Sequence, residues 1–318
     1  MSKVSHIDTL GDLIASGARR LARARLAFGH GTDNAHDEAA ALVLHAAGLS
    51  PFAGPRLHAL RIGAARAARA RALIERRIKE RVPAAYLTGR TWFAGLEMRV
   101  DPRVLIPRSP IAELIERRFS PWISVGRTRR ILDVGTGSGC IAIACARAFP
   151  RARIDAVDIS PEALEVARDN VRRHRVRSRV RLVASDHFRG LGRRRYDIIV
   201  SNPPYVSERE LEALPPEYRH EPRHALAAGR DGLESVRSIL AGAADHLAPG
   251  GILVVEVGDA ERAVRRAYPD LPFTWLDFER GGGGVFVLTA EQLAATGAPK
   301  RARRRGRMQR RRARSATR

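Results

Sequence analysis

Arg130-Ile131-Leu132-Asp133-Val134-Gly135-Thr136-Gly137-Ser138-Gly139 is a short apolar run that stops in a glycine loop. Residues 130–134 read as a strand buried on both faces. Residues 140–149 follow at once with helical composition, so the loop opens a helix, and a helix start offers free backbone N–H groups to a ligand. Dinucleotide sites space their glycines as G-x-G-x-x-G. Here they fall at alternate positions, 135, 137 and 139.

Working outward, residues 154–157, 180–183, 196–200 and 252–257 are further apolar runs, and 161–174 and 233–247 are helical stretches between them. This βαβα alternation predicts an α/β fold with a parallel, doubly wound sheet. Residues 273–278 and 285–288 are strands separated only by the glycine-rich turn at 281–284, and so short a connection joins antiparallel strands. A parallel sheet that ends in an antiparallel hairpin resembles the class I S-adenosylmethionine-dependent methyltransferases.

That resemblance implies that Gly135, Thr136, Gly137 and Gly139, with Asp133 on the preceding strand, hold the methionine end of S-adenosylmethionine. Asp158 lies 19 residues beyond Gly139, at the end of the second strand. A carboxylate there is placed to accept from both ribose hydroxyls. Ile159 could pack on the adenine, and Asp186, after the third strand, could reach its amino group. Considered alone, Asp158 would be a helix cap before Pro161 and Asp186 a loop turn.

The strand at 196–200 runs into Ser201-Asn202-Pro203-Pro204-Tyr205. Asn202 precedes a proline and is pushed towards an extended backbone. Pro203 and Pro204 remove two donors and fix two φ angles. A polar amide, an unpaired carbonyl and an aromatic ring are left at the carboxyl edge of the sheet, where open α/β folds bind ligands. Methyl transfer is an in-line displacement that gains most from positioning. A planar nitrogen is a poor nucleophile, because its lone pair is delocalised. Accepting both of its N–H bonds, one on the Asn202 side-chain oxygen and one on the Pro203 carbonyl, would align it, and Tyr205 could lie against the flat group. Asn202, Pro203 and Tyr205 are therefore the candidate catalytic residues, with Pro204 completing the substrate contact, and Asn202 is expected among the cofactor-binding residues as well. A glutamine amide, an asparagine amide and an adenine amino group all suit this loop.

Residues 9–25, 37–47 and 61–81 repeat apolar residues at helical spacing, which predicts a small bundle over residues 1–82. Between its first two helices lies Phe28-Gly29-His30-Gly31-Thr32-Asp33-Asn34, with Asp33 and Asn34 as good helix starters. Residues 83–108, with Tyr86, Thr91, Trp92, Phe93 and Val100 split by Gly89 and Gly95, predict a β-hairpin linking the bundle to a catalytic domain at 109–293. Pro107-Arg108-Ser109-Pro110-Ile111 leads from the hairpin into a helix through Phe119.

Of 318 residues, 44% are hydrophobic and the net charge is +23. Lys300 and ten arginines in the last 19 residues supply much of that charge, and residues 294–318 are expected to be a disordered basic tail. Non-specific contact of this tail with ribosomal RNA is one expectation; arginine-rich coding bias is the alternative. No run approaches about 18 apolar residues, so no membrane span is expected. The start of the chain lacks a secretory pattern, so a cytoplasmic protein is expected. Cys140 and Cys145, five apart in one helix, form neither a disulfide framework nor a metal cluster.

The helical domain, linking hairpin, Gly-Thr-Gly-Ser-Gly loop and Asn-Pro-Pro-Tyr loop together resemble the HemK-type protein glutamine methyltransferases over roughly residues 5–293. Gly29-His30-Gly31-Thr32-Asp33-Asn34, Pro107-Arg108-Ser109-Pro110-Ile111 and Tyr218-Arg219-His220-Glu221-Pro222 resemble the branch often called PrmB, which acts on large-subunit ribosomal protein three. The resemblance implies methylation of one glutamine amide of that protein, with S-adenosylmethionine as donor. A monomer is expected, since the bundle itself can grip the substrate. The other readings are the release-factor branch, an adenine-amino methyltransferase of DNA or RNA, and a non-catalytic ribosome-assembly protein. Residues 206–230 lack periodicity, and a long segment beside such a loop is expected to cover the bound glutamine.

Overall fold

The computed structural model describes residues 9–296 apart from Ala53; the basic tail lies almost wholly outside the described residues. The chain opens with three helices, α1 (Leu10–Arg23), α2 (Ala35–Ala47) and α3 (Ala64–Glu80). Thr9 and Asp12 form a capping box at α1, and Asn34 caps α2 by accepting from the Asp37 amide at 2.9 Å. Leu10, Leu13, Ile14, Leu42, Val43 and Ile74 share one core between them.

The linking region differs from the expected hairpin at its start. Residues Ala84–Thr88 form a short helix, α4, and only β1 (Arg90–Phe93) and β2 (Leu96–Arg99) pair, antiparallel, around Ala94 and Gly95. Pro83 sits at the N-cap of α4, where a proline starts a helix as readily as it ends one. Helix α5 (Ile111–Glu116) then stops short of Phe119, because Arg118 and Phe119 both take positive φ.

The catalytic region contains β3 (Arg130–Val134), α6 (Cys140–Ala148), β4 (Arg153–Asp158), α7 (Pro161–Arg173), β5 (Val180–Ala184), β6 (Tyr196–Ser201), α8 (Glu208–Ala213), α9 (Glu234–His246), β7 (Leu247–Glu256), α10 (Glu261–Ala267), β8 (Thr274–Leu276), β9 (Val285–Thr289) and α11 (Ala290–Ala295). Seven strands form one sheet in the order β5-β4-β3-β6-β7-β9-β8. The class I methyltransferase fold is thus present, with one refinement. The last strand does not extend the edge; it inserts between β7 and β8, antiparallel to both. Two apolar layers flank the sheet. Ile131, Ile154 and Ile198 face α5, α6 and the end of α7, whereas Leu132, Ile199 and Leu253 face α9, α10 and α11. This alternation is what a strand buried on both faces demands.

The reversal of strand order lies at β3, whose neighbours are β4 on one side and β6 on the other. A crevice opens beyond the carboxyl ends at such a point. Both predicted loops, at 135–139 and 202–205, project there. Among the described residues no helix is long and apolar enough to cross a membrane.

Candidate active site

Ser201 fixes the two loops relative to each other. Its hydroxyl donates to the Val134 carbonyl at 2.6 Å, so the ends of β3 and β6 are locked side by side. The Asn202 carbonyl consequently lies 4.0 Å from where a Gly135 Cβ would stand. Gly135, Gly137 and Gly139 all have positive φ, which explains why the sequence has glycine at each.

A cleft of about 450 Å³ occupies this edge. Gly135, Thr136, Gly137, Asp158, Ile159, Asp186, Asn202, Pro203 and Pro204 line it, and so the structure brings most of the predicted residues together. Asp133, Gly139 and Tyr205 are absent from the lining. Asp133 is fully buried beneath the glycine loop, accepting from the Thr136 hydroxyl at 2.5 Å and the Ala142 amide at 3.1 Å. Burial pushes its carboxyl up to about 7, partly offset by those two donors. Gly139 is the N-cap of α6 and packs against Ala167. Tyr205 is half-buried, with its ring against Gly258.

Asp158 is not the cap of α7; Ser160 is, accepting from the Ala163 amide at 3.1 Å. The Asp158 carboxylate instead holds the glycine loop, with Oδ2 accepting from the Gly137 amide at 2.8 Å and Oδ1 from the Ser160 amide at 2.9 Å. Ile159 next to it is 66% exposed, an aliphatic side chain offered to the cleft. Asp186 is already engaged, 2.6 Å from His187 Nδ1 and 2.9 Å from Arg189 Nη1.

S-adenosylmethionine carries an adenine, two ribose hydroxyls and a charged methionine end, and the cleft fits all three. At Gly137 no atom lies within 4 Å of a would-be Cβ, so any side chain there would fill the mouth. Ser138 also lines the cleft and is 2% exposed. Carboxylates at Asp158 and Asp186 suit hydroxyl and amino donors, and exposed Ile159 suits a flat apolar ring.

The two acceptors expected on the proline loop are both free. Among the described residues neither the Asn202 side chain nor the Pro203 carbonyl has a hydrogen-bond partner. At a sheet edge this is what two consecutive prolines achieve, since neither can continue the ladder.

Several residues of the cleft carried no signal of their own in the sequence. Ser109, His187, His224, Ser235 and Ser238 also line it. Glu221 accepts both Arg108 nitrogens, at 2.6 and 2.8 Å, and the Ile106 amide at 3.0 Å. This forked pair pins the segment after the proline loop to the domain join. His30, beside Glu221 at 3.7 Å and edge-on to Tyr218, is buried and pushed down to about 4 by desolvation, opposed by Glu221. The partners lie more than a hundred positions apart. Only the quoted motifs marked them, and those carried no geometry.

A family of methyltransferase small domains matches residues 117–215, from the approach to β3 through the proline loop. A ribosomal protein uL3 glutamine methyltransferase of Xanthomonas campestris pathovar campestris is 47% identical, over 91% of this chain and 94% of its own. Its counterpart in Bordetella pertussis is 47% identical over 90% and 97%. The crystal structure of a methyltransferase from Pyrococcus furiosus aligns at 23% identity over 62% of this chain and 89% of its own, with a TM-score of 0.44. With near-complete coverage at this identity, and with the glycine and proline loops meeting at one cleft, the chain belongs to the family of S-adenosylmethionine-dependent ribosomal protein uL3 glutamine methyltransferases.

Proposed function

We propose that the protein methylates one glutamine side-chain amide of ribosomal protein uL3, large-subunit ribosomal protein three. The observation that carries the chemistry is the pair of free acceptors, Asn202 Oδ1 and the Pro203 carbonyl, at the rim of a cleft whose floor is the glycine loop. The near full-length relatives named for uL3 carry the substrate.

Bound S-adenosylmethionine supplies a methyl group on a sulfonium, which is an electrophile with a good leaving group. Gly135 to Gly139 hold its methionine end, with Asp133 bracing the loop from below through Thr136. Asp158 accepts from the ribose hydroxyls while keeping its bond to the Gly137 amide. Ile159 covers the adenine, and Asp186 accepts from the adenine amino group.

Asn202 and Pro203 each accept one N–H of the substrate amide. This orients the nitrogen and leaves its electron density pointing across the cleft towards the glycine loop. Pro204 and Tyr205 bound the flat amide group. Orientation of this kind is the main contribution a protein makes to a displacement with a good leaving group. Residues 206–230 cover the glutamine-bearing segment, and the domain at residues 1–82 grips more distant parts of the substrate. The linking hairpin region at 83–108 joins that domain to the catalytic domain at 109–293.

Incubation with tritiated S-adenosylmethionine and purified uL3 tests the reading. Label on a single uL3 glutamine is the expected result. Label on a peptide-chain release factor, or nuclease-sensitive label, with none on uL3 would overturn it.

A further inference from the structure

The reaction as proposed leaves one buried carboxyl at the edge of the cleft unused. Glu256 is the last residue of β7, and the β6–β7 register sets Ser201 opposite Val255, so Glu256 stands one position further along, beside the proline loop. Glu256 is 5% exposed. Ser109, which lines the cleft, donates its hydroxyl to Glu256, and the Ile111 amide donates to Ser109 Oγ at 3.1 Å. From the other side the Tyr205 ring lies over Gly258, two residues past Glu256, with its hydroxyl 3.1 Å from where a Cβ on residue 258 would stand, and the phenol acts on the same carboxyl. A Cβ on residue 258 would stand 2.7 Å from Tyr205 Cε2 and 2.9 Å from Cζ, so the ring takes this seat only because Gly258 lies beneath it. Burial, then the Glu256 charge, keep the Tyr205 phenol well above its ordinary range, so it remains a donor.

We propose that Glu256 is a positioning residue for the methyl-transfer reaction, anchoring Tyr205 and thereby setting the direction of the Asn202 and Pro203 acceptors. The inference rests on the function proposed above. Its mechanics follow from stiffness. Pro203 and Pro204 make residues 202–205 a short rigid bar. One end of the bar is fixed where Ser201 bonds Val134, at 2.6 Å. A rigid bar fixed at one end still tilts, and a tilt moves both acceptors relative to the glycine loop. The contact of Tyr205 with Glu256, itself held by Ser109 from the domain join, fixes the second end. Displacement reactions are steep in geometry, with ~100-fold lost for a misplacement of about 1 Å.

Glu256→Ala, Glu256→Gln, Tyr205→Phe and the double variant Glu256→Ala/Tyr205→Phe test the anchor. Each of Glu256→Ala and Tyr205→Phe should lower kcat on uL3 ~10- to 100-fold while the Kd for S-adenosylmethionine stays within about twofold. The double variant should be no worse than the poorer single one, because both remove one contact. Glu256→Gln, which keeps an oxygen acceptor, should recover most of the loss. Amide exchange at Tyr205 and Val206 should quicken ~10-fold in Glu256→Ala, a readout that needs no methyl acceptor. Unchanged kcat in Glu256→Ala, multiplicative losses in the double variant, or unchanged exchange would overturn the anchor. If Glu256→Ala does not fold, Ser109→Ala decides in its place: a fall in kcat of about fivefold or more supports the anchor and wild-type kcat overturns it. A wild-type protein inactive on uL3 would overturn the function instead, and the exchange measurement would still judge the anchor.

Discussion

Arg77 of α3 and Glu217 of the segment after the proline loop meet across the domain boundary, guanidinium to carboxylate at 3.3 Å, with both side chains almost wholly buried. Arg77 also pairs with Glu38 of α2 and donates to the Ala27 carbonyl at 2.8 Å. Glu217 further accepts from Arg81 at 3.0 Å and from the Ala27 amide at 3.1 Å. The N-terminal helices are therefore fastened to the segment that borders the cleft. Burial raises the Glu217 pKa, yet its hydrogen bonds, led by backbone donors and Arg81, hold it below the usual carboxylate range.

Removing one partner from such a cluster leaves buried charge uncompensated, at a cost of about 3–5 kcal/mol. Glu217→Ala should lower the unfolding free energy by roughly that amount in denaturant titrations. Arg20→Ala, by contrast, breaks an exposed pair with Glu75 and should leave the denaturation midpoint almost unchanged.

Asn202→Ala should reduce kcat on uL3 by about 100-fold or more, the scale on which one preorganised transition-state contact operates. The Kd for S-adenosylmethionine, measured by calorimetry, should change little, because Asp158, Ile159 and the glycine loop are untouched. Undiminished methylation by this variant would remove Asn202 from the mechanism.

His30 gives a pH dependence on the acid side. Its folded pKa is depressed to about 4 from 6.5, by burial first and then by Arg108 and Arg77, against Glu221 and Glu217. A depressed folded value means that the unfolded state binds the proton first as pH falls. The stability His30 contributes is therefore complete above about 6.5 and is lost as pH falls towards about 4. Melting temperatures measured from pH 7 to pH 4 should fall less steeply in His30→Gln than in the wild type.

Asp133 acts in the opposite direction. Its folded pKa is raised to about 7 from 3.8, chiefly by burial. Its contribution is fully present below about 3.8 and declines as pH rises to about 7. Asp133→Asn should flatten that decline, read as the change in unfolding free energy between pH 4 and pH 7.5.

Cys140 and Cys145 are buried, and burial pushes the Cys140 thiol up to about 12 and Cys145 well above its ordinary value. Thiolate is the reactive form. Neither should be alkylated by iodoacetamide at pH 8 on the timescale that labels the unfolded chain. Rapid labelling of the folded protein, followed by mass spectrometry, would contradict this.

Much of the architecture was legible because it depends on local pattern. The run Ile131 to Val134, the alternate glycines and the helix at Cys140 declare a strand, a turn and a helix with no outside help. The order of the sheet is less local. The 281–284 turn announces the antiparallel hairpin of β8 and β9, but not which of the two strands meets β7; Val285–Thr289 takes that place, burying Phe286 and Leu288 against the α9–α11 layer. The aromatic content of residues 83–108 signals a hairpin throughout, but at its start Ala84 and Ala85 pack as a helix turn beneath the bundle and Tyr86 reaches the Val104 carbonyl at 2.6 Å. In the cleft, residues borne on loops beside glycine and proline were visible. Glu217 and Glu256 were not, since a carboxyl that is buried and paired looks in sequence like any surface acid, and Glu221 was marked only by its motif, without its partners.

The segment that follows the proline loop returns to its own starting point. The Val206 amide donates to the Leu226 carbonyl at 2.9 Å, and the Ala228 amide donates back to the Val206 carbonyl at 2.8 Å, closing a neck. Inside that neck, α8 buries none of its residues fully and ends at Leu214 before two prolines. A stretch closed on itself in this way behaves as a cassette. Residues can be added or removed around Ala213 without dragging on Asn202, because the neck at Val206 on one side and the buried Glu217 anchor on the other bracket the change. The outer turn of this enzyme is thus free to be retailored to a new protein contour while the atoms that handle the amide stay where they are.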